Sequence, residues 1–436
     1  MGVEGAWPNS PLHILEERLH ADPSRVVLRP FHLGWQASNA TSNRALRLVQ
    51  DVLSLSERDV RAGYARVRRD FAARHWQTEK MFEERFAEVE HSLDLDFGQV
   101  SDTRKRLIGA FFCHEYTYAA AALMNPSIVP HPDQSGMTRG AVRFVMSLRA
   151  VGEGHISSVA FREGIAYPNG TFSLWPQSAF ATSVDLENAA LTDSDAGVIV
   201  HRHPDSSLSN TVIFPITEQQ RGGLEDLRLV RFDHGGGDYE WIGTYTAYSG
   251  HSIRSELLRT IDFRRFLLEP IQGRAGRNKG MALFPQKIGN KYAMVGRQDG
   301  KNLFLLKSDR IDRWNSDGVL LMEPKYPWEF IQIGNCGSPI KTDAGWLLFT
   351  HGVGAMRKYS VGCALLDLAD PSKIIGRTKE PVLTAVDADR SGYVPNVVYT
   401  CGALRVGERL LVPYGISDSA VGFATVQIDA LLDLMV

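Results

Sequence analysis

The chain has 436 residues, 44% of them hydrophobic and 22% charged, with a formal net charge of −2. That balance is ordinary for a soluble globular protein, and it excludes the strong basic field that nucleic acid or an anionic membrane surface would call for. The four cysteines, Cys113, Cys336, Cys363 and Cys401, show no C-x-x-C spacing, so they read as reduced core thiols and not as a disulfide frame or a zinc site.

The opening stretch, MGVEGAWPNSPLHILEERLH, lacks a basic segment followed by an apolar one, and no apolar run reaches membrane-spanning length. A cytoplasmic protein is the expectation. From about Asn43 to Leu123 the sequence reads helical. Val60, Tyr64, Val67 and Phe71 share one helical face, as do Phe82, Phe86, Val89 and Leu93. Ser56 followed by Asp59 resembles a capping arrangement. A third helix is expected from Asp102 through FFCHEYTYAAAAL. Such stripes serve either the region's own core or an oligomer interface. The reading is thus an N-terminal arm and helical extension over 1–124, with a homo-oligomer expected through it.

From Asn125 to the end, short β-rich segments alternate with Gly, Pro, Asn and Asp turns. Five of them stack: FVMSLR ending at Arg149, WIGTYT at Thr246, YAMVGR at Arg297, WLLFTH at His351 and LLVPYG at Gly415. Several are followed by a second strand of similar character, as in NLFLLKSD and VGFATVQID. A repeat of this kind predicts a mainly β fold, a five-bladed β-propeller over 125–436. In a propeller, equivalent strand ends meet around one funnel. Arg149, Arg297 and His351 would converge there, with Asp418 just past the last repeat. The stretch GGLEDLRLVRF carries Glu225, Asp226 and Arg228 where the local pattern wants apolar residues. A solvated strand end accounts for such a motif when it stands alone. Beside a funnel of cations it is also shaped for chemistry.

Other features read as structural. HRH at His201 to His203 has no zinc-site spacing and reads as loop. Gly235 to Gly237 read as a hairpin turn. Trp76, Trp314 and Trp346 read as core. Nothing in the sequence calls for a metal.

Five ordered motifs, GGLEDLR, NKGMALFPQKIGNKYAMVGRQ, GSPIKTDAGWLLFTHGV, LLDLADPSKIIGRTKEPVL and VPYGISDS, resemble the β-mannoside phosphorylase family, glycoside hydrolase family 130. The resemblance implies a five-bladed propeller that cleaves a terminal β-mannosidic bond with inorganic phosphate, reversibly and with inversion, to give α-mannose 1-phosphate. It implies that Asp226 is the general acid, relaying its proton through the mannose 3-hydroxyl. Glu225 and Arg228 would flank it. Asn125, Arg149 and Asp418 would bind the sugar, and Lys279, Arg297, Lys341 and His351 the phosphate. No cofactor is implied beyond phosphate as co-substrate. Two positions depart from the pattern: Leu227 replaces a proline, and Lys279 an arginine, which keeps the charge but loses the planar fork. The helical extension and SLRAVGEGHISSVAFREG, with His155, Ser157 and Arg162, are similar to an extended subgroup.

The residues agree with this chemistry. Inverting transfer needs an acid on the leaving oxygen and a nucleophile on the opposite face. Phosphate attacks without a carboxylate base, so the protein must supply positive charge to hold it. The alternatives are an inverting β-mannosidase using water on the same fold and a non-catalytic glycan-binding propeller.

Overall fold

A computed structural model describes residues 10–31, 44–71, 73–94, 98, 100–187 and 197–436. The chain divides into two compact units. One holds Ser24–Thr117 with Ser178–Ser183; the other holds the residues up to Pro23, Tyr118–Gln177 and Val184–Val436. The division thus falls at 117/118 and not at 124/125, and the strand His13–His20 belongs with the β-rich unit. Among the described residues no helix is long and apolar enough to cross a membrane.

The smaller unit contains α1 (Arg44–Leu53), α2 (Glu57–Phe71), α3 (Thr78–Ser92) and α4 (Asp102–Phe111). Asn43, the expected start, lies outside the described residues. Ser56 caps α2 by accepting from the Asp59 N–H at 3.2 Å. The striped faces close on the unit's own core: Val60, Tyr64, Phe82, Phe86 and Val89 pack with Leu107 and Ile108. Phe71, at the end of its stripe, stays 37% exposed. The third expected helix is shorter than its apolar content suggested. It stops at Phe111, and Cys113–Thr117 becomes a strand paired with Val26–Pro30. Val27, Tyr116 and their neighbours favour a pleated surface, and this tertiary pairing overrides the helical tendency of the residues before it. Ala119 to Ala121 sit in a turn, and Ala122 opens the next strand.

The larger unit is mainly β. Its strands form antiparallel four-stranded meanders that can be traced in order. The first runs Ala122–Pro130, Val142–Val151, Ser157–Ala166 and Phe172–Leu174. The second runs Gly223–Gly235, Asp238–Tyr248, Ile253–Thr260 and Arg265–Pro270. The third is Ala282–Leu283, Tyr292–Gly296, Leu303–Ser308 and Val319–Met322. The fourth is Gln332–Asn335, Trp346–Val353, Tyr359–Leu366 and Ile374–Arg377. The fifth is Val398–Tyr399, Arg409–Ile416 and Ala420–Gln427, completed by the N-terminal strand His13–His20.

These strands are apolar on both faces because sheets pack on sheets. Val145 and Phe161 of the first share a core with Leu229 and Leu258 of the second. Phe232 and Ile242 of the second meet Met294 and Leu306 of the third. Val295 and Leu305 of the third meet Leu348 and Ala364 of the fourth. Phe349 and Cys363 of the fourth meet Val412 and Ala424 of the fifth. The rings of Phe172 in the first sheet and Phe423 in the fifth lie 4.4 Å apart. Trp314 and Trp346 are core residues, each 1% exposed, whereas Trp76 is half exposed. Burying side chains of that size stabilises a fold by roughly 1.5–3 kcal/mol each. Gly235, Gly236 and Gly237 turn the first hairpin of the second sheet with φ of 92°, 68° and 87°. Only glycine takes that run of left-handed conformations without a steric cost.

The five stacked segments of the sequence repeat all fall on the second strand of their meanders. Residues that close those strands are therefore at equivalent positions.

Candidate active site

Arg149, Arg297, His351 and Asp418 line one cavity of about 270 Å³, together with Asn125, Glu225, Asp226 and Lys279. The remaining lining residues are Gln332, Arg357, Tyr359, Val397 and Tyr399. The five sheets all contribute, through strand ends and the loops just beyond them.

Asp226 sits where the strand Gly223–Gly235 is bulged: Glu225 pairs with Thr246, but the next regular pair is Arg228 with Thr244. The extra residue breaks the alternation of faces, so both acids can turn toward the cavity while Leu227 stays buried. The backbone is left-handed at Asn125 (φ 49°), Asp226 (φ 55°) and Asp418 (φ 49°). Non-glycine residues in that region carry strain that the surrounding structure must hold, and such strain clusters at functional sites.

The polar contacts converge on Asp226. Asn125 Nδ2 donates to Asp226 Oδ1 at 2.7 Å. Arg149 reaches Asp226 Oδ1 at 3.3 Å and Glu225 Oε1 at 2.6 Å, and its Nε donates to Ser157 Oγ at 2.9 Å. Arg228 lies behind the cavity. It donates to the Asp226 carbonyl at 3.3 Å and to the Tyr399 hydroxyl at 2.6 Å. Asn125 Oδ1 is buried without a partner among the described residues. It is an unspent acceptor on the cavity wall.

Charge sets the three carboxyls apart. Burial alone would push Asp226 up, but Arg149, Arg228 and the Asn125 hydrogen bond outweigh it and hold its pKa below the ordinary value. Burial pushes Glu225 up against the pull of Arg149. Burial, reinforced by Asp226, raises Asp418 to about 6 in spite of Arg149 and Arg357. His351 is buried, and desolvation together with Arg297 and Arg228 keeps its pKa well below that of free imidazole. It is a neutral ring at pH 7, stacked on Tyr359 at 5.8 Å with Tyr399 edge-on at 4.8 Å. Besides Arg149, the cations lining the cavity are Lys279, Arg297 and Arg357, with His351 offering a neutral donor or acceptor.

Of the site residues expected from sequence, Asn125, Arg149, Glu225, Asp226, Lys279, Arg297, His351 and Asp418 are brought together, with Arg228 in direct support. Lys341 is placed elsewhere. It is exposed, with Nζ 3.5 Å from Gln286 Oε1 and 5.8 Å from the Trp346 ring. The register explains this: Lys341 pairs with Trp346, the start of the strand that carries His351 near its other end. Five residues of strand separate those ends by roughly 16 Å. Arg357, Gln332, Tyr359 and Tyr399 were not found from sequence. Arg357 lies in AMRKY, just past the THGV motif, and a basic residue there was the one available signal. Ser157 now has a contact, the Arg149 Nε hydrogen bond. His201 pairs with Glu187 at 2.5 Å, and the described residues hold no group of three or more His, Cys, Asp or Glu side chains arranged for a metal.

The glycoside hydrolase family 130 model, described as β-1,4-mannooligosaccharide phosphorylase, matches residues 182–436. The chain belongs to glycoside hydrolase family 130. A 1,2-β-oligomannan phosphorylase from Thermoanaerobacter sp. (strain X514) is 32% identical over 290 residues, covering 62% of this chain and 90% of the relative. A β-1,2-mannobiose phosphorylase from the same organism is 35% identical over 219 residues, covering 48% of this chain and 68% of the relative. A glycosyl hydrolase from Bacteroides ovatus superposes with a TM-score of 0.50 at 19% identity, covering 71% of this chain and 85% of that one, a likeness of fold. This member of the family is accordingly an enzyme of the β-mannoside phosphorylase type.

Proposed function

We propose that this family 130 enzyme is an inverting phosphorylase of β-1,2-linked mannosides, built as a five-bladed propeller with the cavity at its funnel. The observation that carries the reading is that one cavity holds both a carboxyl cluster and several cations. Asn125, Arg149, Glu225, Asp226 and Asp418 offer the mixed donors and acceptors that a mannosyl unit requires. Lys279, Arg297 and Arg357 supply charge for a phosphate dianion, with His351 a neutral partner. The propeller reading is supported by cores shared between successive sheets and by the contact of Phe172 with Phe423. The β-1,2 linkage is supported by the names of the two Thermoanaerobacter relatives.

In the proposed reaction a phosphate oxygen attacks the anomeric carbon, and the glycosidic bond to the leaving sugar breaks on the opposite face. Asp226 gives the proton that the leaving oxygen takes up, by way of the mannose 3-hydroxyl. Arg149, Arg228 and the Asn125 hydrogen bond favour the ionised form of Asp226. A dianion entering beside it opposes its charge and raises its pKa, so phosphate binding helps load the acid. Held charges of this kind contribute mainly through alignment and electrostatic stabilisation. Phosphate is the co-substrate and no cofactor enters the scheme. The cytoplasm suits the reaction, because the charged sugar phosphate is retained there. Exposed Phe71 and Phe111 on the helical unit support a homo-oligomer.

The test is formation of α-mannose 1-phosphate from β-1,2-, β-1,3- and β-1,4-mannobiose and from β-mannosyl-glucose, with and without inorganic phosphate. The expected result is phosphate-dependent product, fastest from the β-1,2 substrate. Free mannose released equally without phosphate would overturn the phosphorylase reading. A faster β-1,4 substrate would overturn the linkage.

A further inference from the structure

A second cavity, of about 560 Å³, lies in the β-rich unit and shares no lining residue with the first. Its walls are the end of the first sheet (His131, Pro132, Asp133, Arg143, Glu163) and two segments flanking the second (Arg202 with Leu208, and Asp262 to Arg264). Nothing in the reaction uses it.

The charges on its two walls are not equivalent. On one, the charged groups pair with one another, although Arg143 Nε is buried without a partner. Arg143 pairs with Asp133 at 3.0 Å and with Glu163 at 3.4 Å, and its guanidinium lies 4.2 Å over the Trp175 ring. Glu163 also accepts from the Ser209 hydroxyl at 3.2 Å. His131 Nδ1 lies 2.9 Å from the Asp133 backbone nitrogen and 3.0 Å from its carbonyl oxygen, and His131 Nε2 is 3.7 Å from Glu163. This wall presents carboxylate acceptors and an imidazole ring.

The opposite wall presents two arginines without an ion pair among the described residues. Arg202 spends one nitrogen on the Ser206 carbonyl at 3.0 Å, and its Nε is buried with no partner. The Arg202 N–H donates to the Arg264 carbonyl at 2.7 Å, which holds the two side chains in one neighbourhood. They repel, and burial and Arg264 together depress the Arg202 pKa, with Glu163 and Asp262 only partly opposing them. The nearby carboxylate, Asp262, is occupied by the N–H groups of Arg264 and Arg265 at 2.8 and 3.2 Å. Phe263, between them, is fixed in a left-handed conformation (φ 55°), with its N–H given to Thr260 Oγ1 at 2.9 Å. The turn is thus built to hold two like charges side by side at a cavity wall, an arrangement that an anion stabilises.

We propose that this cavity is a second ligand site, for a phosphate monoester of a sugar, with Arg202 and Arg264 gripping the phosphate and the acid-lined wall taking the sugar hydroxyls. The acids on that wall disfavour a ligand that is all phosphate, and the volume exceeds that of the catalytic cavity. Arg143 and Arg149 lie on one strand, Val142–Val151, so an occupied second site bears on a strand that also serves the first.

Binding of mannose 1-phosphate and of inorganic phosphate to the full chain, followed by titration calorimetry, tests this. Three proteins are compared: wild type, Arg202→Gln/Arg264→Gln, and Arg297→Gln. The expected result is two mannose 1-phosphate sites per wild-type chain. One weakens at least tenfold in the double variant and persists in Arg297→Gln. Arg264 is exposed, so Arg264→Gln alone, expected to weaken the same site, guards against a misfolded double variant. Turnover of β-1,2-mannobiose is assayed alongside, and its retention in the double variant separates this site from the catalytic one. A single site, lost in Arg297→Gln and untouched in the double variant, overturns the proposal. Inorganic phosphate binding as tightly as the sugar phosphate overturns its sugar-binding half.

Discussion

Asn125 and Asp226, 101 residues apart in the chain, share a 2.7 Å hydrogen bond, and both hold left-handed backbone. Asn125 belongs to the first sheet and Asp226 to the bulge of the second. The bond fixes the carboxyl in the cavity and, with Arg149 and Arg228, holds its pKa below the ordinary value.

Asp226→Asn removes the proton donor while keeping the side chain's shape. Turnover of the best β-mannobiose should fall by about 100- to 10,000-fold, the usual range for a general acid. Phosphate affinity should hold or rise, since Arg297 and Lys279 are untouched and the negative charge that opposes the dianion is gone. Retention of turnover within a few-fold of wild type would remove Asp226 from the acid role.

Gly334 stands where no Cβ fits. One built there would lie 2.2 Å from His351 Cε1 and 3.0 Å from Arg297 Cδ. Gly334→Ala should therefore displace both groups. A displacement of about 1 Å costs on the order of 100-fold in rate, and overpacking costs about 1–3 kcal/mol of stability. Steady-state kinetics at varied phosphate should place much of the loss in the phosphate KM. Unchanged kinetics would mean that His351 and Arg297 do not set the phosphate geometry.

Lys341→Ala should leave turnover and phosphate KM within about twofold of wild type, because substitutions at exposed positions typically change energies by less than about 0.5 kcal/mol. A tenfold rise in phosphate KM would return Lys341 to the site.

Stability should carry two opposed pH dependences from the cavity. His351 is buried neutral, so the unfolded chain binds a proton that the native state refuses. Its contribution is present above about pH 6.5 and is lost as pH falls below that value. Asp418 is the reverse case. Between its ordinary value and about 6, the native state holds a proton that the unfolded chain has released, so its contribution declines as pH rises through that window. Thermal melts from pH 4 to 8 should show a shallower acid-side loss in His351→Gln. In Asp418→Asn, stability relative to wild type should improve as pH rises. Difference curves flat in both variants would refute these ionisation states.

The sequence by itself determined more about the β-rich unit than about the helical one. The period of the strands, their closing residues and the acid pair in an apolar run are local signals, and they located Arg149, Asp226, Arg297, His351 and Asp418. Equivalent strand ends had to lie at equivalent places in a repeated meander, which is why those residues converge. Local pattern could not decide where α4 stops, since Cys113–Thr117 is a strand only because Val26–Pro30 lies beside it. Nor could it reveal the fifth sheet's outer strand, which comes from His13–His20, some 400 residues from its partner in the chain. Tertiary structure alone sent Lys341 to the far end of its sheet, brought Arg357 beside Asp418, and set the pKa values of three carboxyls apart. Register and burial are properties of several segments at once. No window of a single segment contains them.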